Sequence, residues 1–112
     1  MKVSSILDGK RAETVKPDAT LKELTEKLAA LKIGALVVSS DGKNIEGIVS
    51  ERDIVQAMPA NWDKIPTLHV RDIMTVNVMT CSKEATFAEL MVLMTQKRIR
   101  HVPIVDEQGQ LI

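Results

Sequence analysis

Apolar residues recur with helical periodicity in two stretches of the chain, and the same polar signal precedes each stretch. Thr20 with Glu23, and Thr86 with Glu89, form the pattern of a capping box, in which the hydroxyl and the carboxylate each accept the other residue's backbone N–H. Both stretches are therefore predicted to be amphipathic helices. Their apolar positions are Leu21, Leu24, Leu28 and Leu31 in the first, and Phe87, Leu90, Met91 and Met94 in the second.

The two predicted helices belong to a longer internal repeat. Residues 14–45 match residues 80–111 at a shift of 66, and a short preface repeats at a shift of 67. Self-similarity at a fixed period is typical of one supersecondary unit used twice. We predict residues 1–58 as the first unit, 59–69 as a linker and 70–112 as the second unit. The matching preface residues are Val3, Ile6 and Leu7 with Val70, Ile73 and Met74.

Each unit is predicted to have the order β-α-β-β-α. In the first unit, Gly34 is predicted to close the first helix, and strands are predicted over Ala35 to Ser40 and Ile45 to Val49 around a Gly-containing turn. Ser50 is predicted to cap a second helix, which Pro59 follows. At the same shift the second unit's last strand and helix would lie beyond residue 112, so this unit is expected to be truncated.

Composition narrows the class of function. Lys plus Arg equals Asp plus Glu at 15 each, and aromatic residues make up 2% of the chain, which argues against nucleic-acid binding and against attraction to anionic membranes. No segment has the ~20 apolar residues of a membrane span and no secretory signal is evident, so a cytoplasmic protein is expected. Cys81 is predicted to be a small buried residue. His69 and His101 lack zinc-ligand spacing, so no metal site is predicted.

Four runs of sequence carry a family resemblance: IGALVV at 33–38, GIVSERDIV at 47–55, VRDIM at 70–74 and RIRHVPIVD at 98–106. Together with the repeat they resemble tandem CBS-domain proteins, the pair known as a Bateman module. The chain is similar to stand-alone bacterial two-CBS proteins related to inosine-monophosphate dehydrogenase by that module. The resemblance implies an α/β fold of two CBS units packed sheet to sheet, without enzymatic activity. It also implies a homodimer that signals to a partner protein.

The resemblance further implies that adenine nucleotide binds in clefts between the units. For the first cleft it assigns the phosphate to Ser50 and the ribose to Asp53. It adds the strand start at Ile33, Gly34 and Ala35, and Thr80 with Cys81 from the other unit. The free amides of a helix N-terminus favour such an anion. The alternative is that Ser50 and Asp53 form a plain helix cap, and that Arg52 is a solvated helix residue rather than a phosphate-binding cation.

The second cleft is expected to be incomplete. The resemblance assigns Arg100 and His101 to phosphates there, with Thr14 and Val15 beside the adenine. The corresponding Ser and Asp would lie beyond residue 112. Because the cations and the ribose acceptor then fall in different clefts, weak binding of AMP, ADP or ATP is expected, with no required cofactor.

A ligand-free dimerisation or protein-interaction module is the rival interpretation. Trp62, in the predicted linker, is interpreted as covering the seam between the units, with a ligand or partner anchor as the alternative. No nucleophile–base pair or Gly-rich phosphate loop supports an enzyme.

Overall fold

Two small β-sheets and the helices that join their strands make up the part of the chain that the structure, a computed structural model, describes: residues 2–3 and 12–112. The predicted preface residues Ile6 and Leu7 lie outside these ranges. The order of elements confirms the mixed α/β class. The elements are β1 (Thr14–Val15), α1 (Leu21–Leu31), β2 (Ala35–Val38), β3 (Gly47–Ser50), α2 (Glu51–Asn61), a 3₁₀-helix (Trp62–Thr67), α3 (Val70–Ile73), β4 (Cys81–Ser82), α4 (Phe87–Lys97) and β5 (Ile104–Val105).

The sheets repeat one arrangement in the predicted register. β1 lies parallel to β2, which pairs antiparallel with β3, and β4 lies parallel to β5. Val15 opposes Val38, and Cys81 opposes Ile104, the same pair moved by the repeat shift. Leu111 then forms an antiparallel bridge with Val105, at the position where the second hairpin was expected to begin.

The core is aliphatic and lies under the first sheet. Leu21, Leu24 and Leu28 of α1 are buried, whereas Leu31, predicted to share their face, is 38% exposed. α2 and the 3₁₀-helix pack on α1. The helix α4 contains no buried residue. The buried cluster comprises Val15, Ala19, Leu21, Leu24, Leu28, Leu36, Val38, Val49 and Val70.

The repeated prefaces are exchanged between the two units. The Val3 N–H donates to the Ala85 carbonyl at 2.8 Å, and the Val70 N–H donates to the Ala19 carbonyl at 2.9 Å. Both valines are buried. Each preface therefore packs against the body of the other unit, and the two contacts are related by the repeat. This reciprocity holds the units together through backbone hydrogen bonds and buried apolar surface.

The end of α1 differs from the prediction. Lys32, not Gly34, takes the left-handed conformation, with φ of 55°, and Arg98 repeats it with φ of 54° after α4. The Lys32 N–H donates to the Ala29 carbonyl and the Ile33 N–H to the Leu28 carbonyl, which closes the helix two residues before the glycine. The helix-to-strand turn therefore requires a residue in the left-handed conformation in both repeats, and that residue is a lysine in the first repeat and an arginine in the second.

The predicted linker is mostly helical, and Pro59 does not follow α2 but lies inside it. Because proline has no backbone N–H, Pro59 leaves the Val55 carbonyl without its usual helical donor. This loss falls near the end of α2, and a 3₁₀-helix follows directly. Trp62 is 67% exposed, so the interpretation that it covers the seam within this chain is wrong.

The strands β2 and β3 are displaced from their predicted bounds because side chains of Ser39 and Asp41 close the turn between them. The Gly42 N–H donates to Ser39 Oγ, and Asp41 accepts from the N–H groups of Lys43 and Asn44.

Within the part of the chain that the structure describes, none of the helices combines the length and the apolar character that a bilayer crossing requires.

Candidate functional site

Ser50 and Asp53 lie at the turn from β3 into α2 and bond to each other. Asp53 Oδ2 accepts the Ser50 N–H at 2.8 Å and the Ser50 hydroxyl at 3.1 Å, while Ser50 Oγ accepts the Asp53 N–H at 3.4 Å. The capping alternative is therefore confirmed as a structural role. No hydrogen bond among the described residues uses Asp53 Oδ1, so this half-buried carboxylate keeps one oxygen for a further donor.

Capping does not set Ser50 and Asp53 apart from the other helix starts. Thr20 with Glu23 and Thr86 with Glu89 form the same box at α1 and α4. Any ligand role of Asp53 must therefore come from its surroundings, and the other two boxes provide controls that cap without those surroundings.

The start of β2 runs beside this turn. Ala35 opposes Ser50 in the ladder, and the Gly34 carbonyl accepts the Glu51 N–H at 2.9 Å. The structure thus brings the predicted segment from Ile33 to Ala35 next to Ser50. Backbone hydrogen bonds fix this arrangement of the two segments.

His101 reaches the same place from the second unit. A Cβ atom placed on Gly34 would lie 3.6 Å from His101 Nε2 and 3.3 Å from Glu51 Oε1. The family resemblance assigns Gly34 and His101 to different clefts, but the structure places the His101 imidazole beside Gly34 of the other unit. The Glu51 side chain is exposed and lies beside Gly34 and His101, a position that the sequence does not indicate.

The other predicted residues lie apart from this cluster. Thr14 and Val15 line an open cavity of about 710 Å³ with Lys27 and Ser39, and neither Ser50 nor Asp53 lines it. Ile33, Gly34 and Glu51 line a second groove of about 540 Å³ between α1 and α2. Among the described residues, no hydrogen bond joins Thr80 or Cys81 to Ser50 or Asp53. Arg52 and Arg100 are exposed and form no ion pair within the described ranges.

Gly47, the glycine of the GIVSERD run, has a packing role next to the site. A Cβ atom there would lie 2.8 Å from both the Thr75 carbonyl oxygen and Met74 Sδ. Thr75 in turn pairs with Ile48 through two backbone hydrogen bonds of 2.9 Å. The glycine therefore allows the segment that follows α3 to lie directly against β3, three residues before Ser50.

Cys81 is buried in β4, as predicted, and burial raises the pKa of its thiol, with a further contribution from the nearby Glu89 carboxylate. Because the folded state holds this proton more tightly, its contribution to the free energy of unfolding is present below the unfolded-state pKa and is lost as the pH rises through the folded-state pKa.

We expect a disulfide reagent at about pH 8 to modify the native Cys81 thiol at least about tenfold more slowly than the urea-unfolded thiol. The chain has one cysteine, so the signal is unambiguous, and equal rates would contradict the buried position.

Comparisons with known proteins identify the repeats. The CBS domain family matches residues 3–60 and 70–112. An uncharacterised protein of Methanopyrus kandleri is 33% identical over 99 residues, which are 88% of this chain and 50% of the relative. The inosine-5′-monophosphate dehydrogenase of Methanocaldococcus jannaschii is 32% identical over 99 residues, but these are 19% of its length. The chain spans about half the length of the first two curated relatives it matches.

Solved structures share the fold over nearly the whole chain. A CBS-domain containing protein of Agrobacterium tumefaciens superposes with a TM-score of 0.88 at 36% identity, covering 99% of this chain and 90% of its own. The protein CBSX2, solved in complex with AMP, superposes with a TM-score of 0.79 at 25% identity, covering 93% of this chain and 80% of its own.

Proposed function

The chain belongs to the CBS domain family, and from this membership we propose that it is a non-enzymatic regulatory module that binds an adenine nucleotide or a related adenosyl compound between its two units. The observation that carries the proposal is the turn into α2, where Ser50 and Asp53 lie beside the start of β2, and where His101 of the second unit lies beside Gly34. We keep the boundaries 1–58, 59–69 and 70–112 for the two units and their linker.

Each part of an adenosyl ligand has a chemical counterpart at this turn. The free oxygen of Asp53 can accept a ribose hydroxyl, because a carboxylate is an acceptor with four lone-pair sites and the capping box uses only one of its oxygens. The first amides of α2 favour an anionic group. His101 Nε2 faces Gly34 and provides a further polar contact from the second unit. The AMP bound to the similar protein CBSX2 supports adenine as the base.

The proposed mechanism is a change in the relative placement of the two units. Gly34 and His101 belong to different units, so a ligand that touches both favours one placement over others. A partner protein that binds this placement preferentially is then biased by the difference in ligand affinity between the two states. The contacts at Val3 and Val70 lie on the same interface and are the elements that such a shift would strain.

The proposal is tested by ligand titration with thermal unfolding as the readout. AMP, ADP and ATP are each expected to raise the unfolding temperature, since a ligand at 100 times its dissociation constant adds about 2.7 kcal/mol to the stability of the native state. GTP is the control for non-specific anion binding. If none of the adenine compounds raises the unfolding temperature at concentrations up to millimolar, the proposal is contradicted. The rival interpretation, a ligand-free interaction module, would then be favoured.

One observation favours that second function. Phe87, Met91 and Val92 of α4 are 44%, 43% and 52% exposed, an apolar helix face of a kind that protein interfaces cover. We propose that this face contributes to a homodimer, which light scattering at high protein concentration would detect. A monomer under those conditions would contradict this part of the proposal.

A further inference from the structure

Glu51 places a carboxylate at the edge of the first cleft. Its N–H donates to the Gly34 carbonyl at 2.9 Å, and its side chain folds back over Gly34, with Oε1 3.3 Å and Cδ 3.6 Å from where a Cβ would stand. Residue 51 is also the first residue of α2. Its carboxylate therefore lies close to the helix amides that the proposed function assigns to a phosphate.

No cation neutralises this carboxylate within the described ranges. Glu51 takes part in none of the four ion pairs found there. Lys32 lines the same groove and Arg52 is the next residue, but neither lies within 4 Å of the carboxylate oxygens, and both are exposed. His101 Nε2 approaches the same point on Gly34 from the second unit. In the first repeat Gly34 and Ala35 stand where the second repeat has Arg100 and His101.

Resting on the proposed function, we propose that Glu51 ranks the ligands of the first cleft by their phosphate charge. Adenosine and cationic adenosyl sulfonium compounds bind most tightly, AMP follows, and ATP binds most weakly. The physical reason is repulsion between the exposed Glu51 carboxylate and each added phosphate charge, which increases with the number of phosphate charges and as they approach the start of α2. The ribose contact to Asp53 is common to all these ligands and does not contribute to the ranking.

The test is isothermal titration of three proteins with adenosine, S-adenosylmethionine, AMP and ATP, at constant ionic strength and without divalent cations. The proteins are the wild type, Glu51→Gln and Glu26→Gln. Glu26 is an exposed residue of α1, 64% exposed in its side chain, so its substitution changes the net charge equally without touching the cleft. We expect the wild type to bind ATP about tenfold or more weakly than adenosine, Glu51→Gln to remove most of that difference, and Glu26→Gln to keep it.

Three results would overturn the inference while leaving the proposed function intact: a wild type that prefers ATP, an unchanged ratio in Glu51→Gln, or an equal change in Glu26→Gln. The first two results would show that Glu51 does not set the ligand preference. The third would show that the preference follows the net charge of the protein. Failure of all three proteins to bind any of the four compounds would instead overturn the proposed function, and the inference with it.

Discussion

Gly47→Ala is expected to destabilise the fold by about 1–3 kcal/mol, the usual cost of forcing an added methyl group into closely packed surroundings. The new Cβ would lie 2.8 Å from the Thr75 carbonyl oxygen, a backbone atom that cannot rotate away. Relief requires the segment after α3 to move from β3, which breaks the two hydrogen bonds between Ile48 and Thr75. Because α3, which precedes this segment, begins with the fully buried core residue Val70, the movement also loosens the exchanged preface.

Gly34→Ala is the matched control for this substitution. Its Cβ would meet the ends of the Glu51 and His101 side chains at 3.3 and 3.6 Å, and both side chains can rotate. Replacing glycine by alanine also reduces the freedom of the unfolded chain, a gain of about 0.4–1 kcal/mol where the backbone permits it. Urea unfolding of both variants measures the difference. Equal midpoints for Gly47→Ala and Gly34→Ala would show that the contact with Thr75 is not restrictive.

The repeat explains how much of the fold the sequence could predict. Capping boxes and helical periodicity are local signals, and both repeats agree on them, so the order of β1 to α2 follows from short segments. The exchange of prefaces is visible in the sequence only as the match between Val3 and Val70. Which unit each preface packs on depends on contacts 50 or more residues away along the chain, and periodicity carries no information about these.

The candidate site shows the same division between local and distant information. The hydrogen bonds of Ser50 and Asp53 were predictable from their spacing. The meeting of Gly34 with His101 was not, because it depends on how the two units pack. The position of the Glu51 side chain beside Gly34 was not predictable either, because a charge run does not indicate which side chain folds back onto the backbone. The left-handed turn at Lys32 was missed because glycine is the usual signal and Gly34 stands two residues further on. At Arg98 the sequence gives no such signal, since the next glycine is Gly109.

Asp53→Ala is expected to weaken adenosyl-ligand binding by about 10-fold to 150-fold, the equivalent of losing a charge-assisted hydrogen bond of about 1.5–3 kcal/mol. The substitution also removes the carboxylate that accepts the Ser50 N–H, so part of any effect would come from a weaker start of α2. Isothermal titration with adenosine and AMP gives the affinity, and thermal unfolding without ligand gives the cost to the helix cap.

Glu89→Ala separates the two contributions of Asp53. Glu89 accepts the Thr86 N–H at 3.0 Å in the equivalent box of α4, so its loss costs a cap of the same kind in the other repeat. If Asp53 acts only as a cap, both variants lower the unfolding temperature alike and both bind ligand as the wild type does. If Asp53 holds the ribose, only Asp53→Ala loses affinity. Wild-type affinity in Asp53→Ala would therefore remove the ribose contact from the proposed site, whatever the change in stability.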